Sequence, residues 1–229
     1  MVRILAFALV AGLAGCAAGG ATYPRPVYQS PAYAPPPQPD LYAYAPRASL
    51  HSELFACNRW GSNLGEIGMR GEVVQFSPYI QTQAGSLLRL PVESACLSSG
   101  FGWRDTASGG GRQHNGLDLA NPNGGYVYAA ADARVIAAGW RGGYGNVVEL
   151  DHGQNVRTLY AHLADYDPSL VPGGFVTSGV AIGRMGMTGN ATGVHLHYEV
   201  YVDGMIVDPL HYGRPPIYVS APAPDQPAF

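Results

Sequence analysis

Charge is scarce in this chain. Asp, Glu, Lys and Arg make up 13% of its 229 residues, the net charge is −3, and no stretch gathers basic residues. Without a basic face there is little to hold a phosphate backbone, which excludes nucleic acid as a partner. Sustained helical periodicity is missing as well, which excludes a helical bundle. The apolar run at residues 4–13 is too short to cross a bilayer as a mature helix. Cysteine is down to three residues with no CxxC pair, so a cysteine-ligated zinc site is excluded. Glycine (31) and proline (19) are plentiful instead, and 47% of the residues are apolar. That balance fits a turn-rich β protein with one core of ordinary size and extended ends.

The start of the chain decides the compartment. Met1-Val2-Arg3 is a short positive region, and the apolar stretch after it ends in Leu13-Ala14-Gly15-Cys16, which looks like a bacterial lipobox. The resemblance implies cleavage before Cys16 and lipid attachment to its sulfur, a stable membrane anchor because each buried CH₂ contributes about 0.8 kcal/mol. By similarity to Gram-negative lipoproteins, Ala17 rather than Asp at the next position implies the outer membrane, with the protein facing the periplasm. Two cysteines then remain, Cys57 and Cys96, and an oxidising periplasm favours a bridge between them.

From Ala17 to Arg47 the chain is rich in Pro, Tyr, Ala and Gln and poor in aliphatic residues. It reads as an extended tether, able to reach roughly 90 Å. Residues 48–96 are less distinctive: a short helix is expected over residues 50–60, and strands over residues 72–76 and 87–90. From Leu97 onward short β-prone runs alternate with turns. Gly109-Gly110-Gly111 precedes a strand rather than a helix and so fails the context of a phosphate loop. His152 falls in the turn Asp151-His152-Gly153 and reads as structural, and Asp203-Gly204 is a hairpin signal. After Tyr212 a Pro/Ala-rich tail follows. The fold class expected is mostly β, an antiparallel sheet with short connecting elements.

Three stretches carry chemistry. In Val194-His195-Leu196-His197-Tyr198-Glu199-Val200 the period of two puts His195, His197 and Glu199 on one face and apolar residues on the other. The two imidazoles then lie roughly 7 Å apart, so one can bind a metal while the other reaches a ligand beside it. A strand reading of His114-Asn115-Gly116-Leu117-Asp118-Leu119 puts His114, Gly116 and Asp118 on one face, with Gly116 leaving room for an ion or a substrate backbone. Leu159-Tyr160-Ala161-His162-Leu163 adds a histidine among apolar neighbours.

Together with Ser99-Gly100-Phe101-Gly102-Trp103-Arg104, these stretches resemble the lysostaphin/LytM-type peptidoglycan metallopeptidases over roughly residues 90–210. The resemblance implies a duplicated hybrid-motif fold of the barrel-sandwich kind. It implies one zinc ion per chain on His114, Asp118 and His197, and places His162 and His195 on the water and the scissile carbonyl without assigning which does which. Glu199 is a candidate to orient a ligand. Three protein ligands and an open position suit catalysis rather than structure. The expected layout is a signal peptide (1–15), a lipidated Cys16 with its linker (16–47), an N-terminal segment packed on the catalytic domain (48–96), the peptidase domain (97–213) and the tail (214–229). The expected activity is zinc-dependent hydrolysis of peptide cross-links in peptidoglycan, at a D-alanyl–diaminopimelate bond. The runner-up is a regulator of the same fold that activates a cell-wall amidase, which makes an amidase or another envelope protein a candidate partner. A structural lipoprotein would leave the five residues unexplained. One departure from the family pattern is Ala133 after Asp132, where Gly often stands, so an altered turn is expected there.

Overall fold

In a computed structural model of the chain, residues 42–58, 61–105 and 111–213 are described. The signal peptide, Cys16 and its surroundings, most of the tether, part of the Gly109–Gly111 loop and the tail lie outside them. All described residues belong to one compact unit, Asp40–Phe229.

Fourteen strands are present among the described residues: β1 (Tyr79–Thr82), β2 (Gly85–Leu88), β3 (Cys96–Ser99), β4 (Gly102–Asp105), β5 (Gly111–His114), β6 (Leu117–Ala120), β7 (Tyr126–Tyr128), β8 (Ala133–Trp140), β9 (Asn146–Asp151), β10 (Val156–Tyr166), β11 (Phe175–Val176), β12 (Ala181–Met185), β13 (His195–Val202) and β14 (Met205–Val207). The main sheet runs β11-β8-β9-β10-β13-β6-β3. β12 joins β10 to β7, β14 pairs with β13, and β1–β2 and β4–β5 form separate hairpins. Every strand pairing is antiparallel. The mostly β, antiparallel architecture is thus the one the periodicity implied.

β13 is an interior strand of this sheet, between β10 and β6, and its two faces differ. Leu196, Tyr198, Val200 and Val202 join the main core, where Tyr198 packs on Tyr160 of β10 with ring centroids 5.4 Å apart. His195, His197, Glu199 and Tyr201 occupy the other face, as period-two alternation requires. After Val202, Asp203 (φ 51°) and Gly204 (φ 78°) make a turn with two left-handed residues, which returns the chain as β14.

The helix expected over residues 50–60 does not form in its described part, residues 50–58. Phe55 bridges Glu72 and Ala56 bridges Leu97, so the segment is extended, and the Cys57–Cys96 disulfide ties it to β3. Pairing and covalent closure here outweigh local helix propensity. The strand expected at residues 72–76 shrinks to isolated bridges at Glu72 and Val73, and Gln75 breaks it with φ 56°. Of residues 87–90 only Leu87 and Leu88 lie in a strand. Arg89 is fully buried, and its guanidinium donates to the carbonyls of Ser77, Tyr79, Pro209 and Tyr212, tying the β1–β2 region to the end of the fold. Leu54, Leu64, Ile80, Leu87 and Val92 share one core cluster with Leu117, Leu119, Leu196 and Tyr198. Ala133 has no left-handed backbone and simply opens β8, so the turn after Asp132 is not the altered one expected.

Candidate metal centre

Three neighbouring strands of the main sheet and the end of the β4–β5 hairpin deliver the site. β13 lies between β6 and β10, with His197 opposite Asp118 on one side and Ala161 on the other. His114 ends β5 and Asp118 lies in β6, so the single strand expected through this stretch is interrupted at Asn115-Gly116. Gly116 is needed there for a different reason from the one its sequence suggested. A Cβ at this position would lie 2.3 Å from the Tyr198 carbonyl oxygen, so the glycine lets the β13 backbone pass rather than making room for an ion.

His162 reaches the site through a break in alternation. Strict period two would put it with Thr158 and Tyr160, facing the core. Instead the β9–β10 register shifts between Tyr160 and Leu163, and His162 has φ 59°, left-handed in the middle of a strand. This bulge sends Tyr160 and Leu163 to the main core and turns His162 beside His195, their rings 4.8 Å apart.

His114 Nε2 lies 3.0 Å from Asp118 Oδ1 and 3.0 Å from His197 Nδ1, and the latter two atoms are 2.9 Å apart. Each ligating group is held from behind. His114 Nδ1 donates to the Gly100 carbonyl at 2.6 Å. Arg104 Nη2 donates to Asp118 Oδ2 at 2.6 Å. His197 Nε2 donates to Glu199 Oε1 at 3.0 Å, and Glu199, fully buried, also accepts from the hydroxyls of Tyr144 and Tyr201. What remains on each residue is one lone pair aimed at a common point. Lone pairs crowded like this repel unless a cation lies among them. Donors set tetrahedrally around zinc at about 2.0–2.1 Å are about 3.3 Å apart, close to the spacing found, and the His₂Asp donor set with neutral imidazoles suits that ion.

The two carboxylates of the site are held ionised. Burial alone would raise the Asp118 carboxyl, but hydrogen bonds and charge from His114 and His197 outweigh it and hold the group well below the ordinary carboxylate range. Burial would likewise raise Glu199, and bonds from His197, Tyr201 and Tyr144 lower it instead. His197 is pushed down by burial but more strongly up by Asp118 and Glu199. Burial depresses His162, favouring the neutral imidazole.

His162 and His195 repeat the rear-held pattern. Nδ1 of His162 donates to Thr188 O and Nδ1 of His195 to Gly193 O, each at 2.8 Å. That leaves their Nε2 atoms without a hydrogen bond among the described residues; His195 Nε2 is 3.6 Å from Asp118 Oδ1. All five residues line one cavity of about 410 Å³. Sequence reasoning missed Tyr144, which comes from a short 3₁₀ turn (Gly142–Tyr144) with no period to reveal it. It quoted Arg104 without giving it a role, and it did not reach the Gly100 and Thr188 carbonyls, since backbone acceptors leave no trace in residue type.

An antiparallel β fold around a buried His–Asp–His donor set, with two further histidines alongside, defines a metallopeptidase-like class of site. Residues 112–209 match peptidase family M23, and this part of the chain is a peptidase family M23 domain. The chain is 40% identical over 126 residues to DD-carboxypeptidase/endopeptidase Mpg of Neisseria meningitidis serogroup B, covering 55% of this chain and 29% of that protein. It is 37% identical over 112 residues to the uncharacterized lipoprotein YgeR of Escherichia coli, covering 48% and 42%. A zinc-containing peptidase from Vibrio cholerae matches in structure with a TM-score of 0.53 and 31% identity, over 60% of this chain and 47% of that one. The chain thus spans less than a third of the length of Mpg.

Proposed function

We propose that the chain is a zinc metalloendopeptidase that hydrolyses peptide cross-links of peptidoglycan. The observation that carries this reading is the convergence of His114 Nε2, Asp118 Oδ1 and His197 Nδ1 within 3.0 Å of one another. His114, Asp118 and His197 would hold the zinc. When bound, the ion supplies Lewis-acid chemistry, lowering the pKa of water from about 15.7 to near 7 and polarising a carbonyl.

The chain's own residues do the rest. Glu199 and the Gly100 carbonyl fix the tautomers of His197 and His114, so that the correct nitrogen faces the ion. Arg104 pairs with Asp118 Oδ2 and orients it. His162 and His195 are placed to divide two tasks. Nδ1 of each is committed to a backbone carbonyl. The one that acts as base is therefore neutral and takes the proton of the attacking water on Nε2, while the other, carrying a proton on both ring nitrogens, donates through Nε2 to the oxyanion that develops on the carbonyl. The base then returns its proton to the departing amine.

Substrate and location follow from the relatives. Proteins named for DD-endopeptidase activity and a lipoprotein are both among them. This supports a D-alanyl–diaminopimelate cross-link as substrate. It also supports a place in the cell envelope; the Leu13-Ala14-Gly15-Cys16 stretch and Ala17 are the basis for a lipid on Cys16 as the anchor and for the outer membrane, facing the periplasm, as the site. In this layout residues 48–96 belong with the peptidase domain rather than with the tether, consistent with their part in its core.

Binding and catalysis should separate at the histidines. His162→Ala and His195→Ala in the full chain should each keep one zinc per chain by metal analysis and lose about 10²–10⁴ in the rate of cross-link cleavage. Full activity in both variants would remove these residues from the chemistry.

A further inference from the structure

The cavity around the metal centre is electrostatically lopsided. Arg104 of β4 and Arg112 of β5 stand directly opposite each other in their hairpin, and both line the cavity. Cross-strand partners point to the same face, and like charges placed so destabilise a hairpin. Only one of the two is neutralised. Arg104 donates through Nη2 to Asp118, yet its Nε is buried with no hydrogen-bond partner. Arg112 is exposed and forms no ion pair with any described residue.

The two acids of the cavity are already committed. Asp118 faces His114, His197 and Arg104, while Glu199 accepts from His197, Tyr144 and Tyr201. The wall at Asn190 and Thr192 carries no charge. The hairpin side of the cavity is therefore cationic and lacks an anion. Arg112 is two positions before His114 on β5, a Cα spacing of roughly 6.6 Å, or less than two residues of an extended peptide. An anion held there would sit within about one residue of the bond being cut.

We propose that Arg112, backed by Arg104, forms a carboxylate subsite for the free α-carboxylate of the residue that leaves as the amine. The proposal rests on the peptidase reading above and names which end of the substrate the cavity holds. In a D-alanyl–diaminopimelate cross-link, the carbon bearing the acylated nitrogen also bears a carboxylate. A D-alanyl–D-alanine terminus has the same arrangement. A guanidinium fork matches a planar carboxylate through two parallel N–H···O bonds, and a carboxamide matches it poorly. One subsite can thus accept cross-links and free termini alike, while fixing the direction in which the peptide lies over the zinc.

The test uses the zinc-loaded full chain and two cross-linked muropeptides that differ only in that carboxyl group, free in one and carboxamide in the other. Cleavage of the acid should exceed that of the amide by about 10- to 100-fold in kcat/KM. Arg112→Gln should lose that factor on the acid and treat both substrates alike, with Arg112→Lys recovering part of it. Zinc content of Arg112→Gln should be unchanged, which separates a lost subsite from a damaged metal centre. Binding provides an independent reading: zinc-loaded His195→Ala should bind the acid more tightly than the amide, and the double variant with Arg112→Gln should show no preference. Equal treatment of acid and amide by the unmutated protein, or a preference that survives Arg112→Gln, would overturn the subsite. If neither muropeptide is cut, the peptidase reading falls, and the binding comparison still decides for or against the subsite.

Discussion

His162 occupies a conformation that an L-residue in a strand normally avoids. Its φ of 59° costs roughly 1–2 kcal/mol relative to ordinary backbone, and such strain persists where the surroundings fix a functional side chain. Glycine has no Cβ to strain and alanine does, so His162→Gly should be more stable than His162→Ala by about 1 kcal/mol in chemical denaturation, with both inactive. Equal stability would mean that the bulge carries no strain. This residue also marks the limit of reading from sequence. His195, His197 and Glu199 were legible because period two applies to β13 without interruption. His162 was legible only as a histidine among apolar neighbours, since strict alternation would have turned it into the core. The bulge that turns it outward arises from a register shift against β9, a property of two strands that neither sequence segment expresses alone.

Elements were legible where an unbroken alternation separates apolar from polar residues or a turn signal stands alone, and illegible where distant partners shape them. β13 and the Asp203-Gly204 turn belong to the first kind. The extended segment at residues 50–58 belongs to the second, because its pairing with Glu72 and Leu97 and its bond to Cys96 are non-local. The β9–β10 turn holds a further element-scale feature. His152 Nδ1 donates to Asp132 O at 3.0 Å, and its Nε2 lies 2.8 Å from Thr158 Oγ1, which in turn meets the Tyr160 hydroxyl at 3.0 Å. Burial lowers the pKa of His152 below its ordinary value. A histidine of this kind is neutral when folded and takes up a proton on unfolding. Its stabilisation is complete above the unfolded value of about 6.5 and is lost as the pH falls through the folded value. The stability gap between the unmutated protein and His152→Gln should therefore narrow on acidification from pH 7 to pH 5, measured by urea denaturation. A gap that stays constant or widens would contradict this.

For the whole molecule, the segment before the peptidase strands is part of the fold. Cys57 and Cys96, 39 positions apart, are bridged. Beyond the bridge, Ser62 pairs with Ser99 and its carbonyl accepts from the Gly100 N–H at 2.8 Å, next to the Gly100 carbonyl that orients His114. Replacing both cysteines by serine should lower stability by about 2–4 kcal/mol. It should also weaken zinc binding in a competition titration, because the support behind His114 loosens. An unchanged denaturation midpoint would show that the bridge is idle. The compartment argument made the pairing of these cysteines legible, whereas their link to the metal centre needed the three-dimensional path through Gly100.

The central claim is that a zinc-loaded peptidase centre cuts cross-links in the cell wall. The most direct measurement is digestion of purified peptidoglycan by the zinc-loaded full chain, with a chelator-stripped sample and a zinc-restored one beside it, followed by separation of the muropeptides. Cross-linked dimers should convert to monomers with zinc, persist after stripping, and convert again on restoration. Dimers that persist in the loaded sample across a range of pH, with stem peptides released only when a cell-wall amidase is added, would contradict the peptidase assignment.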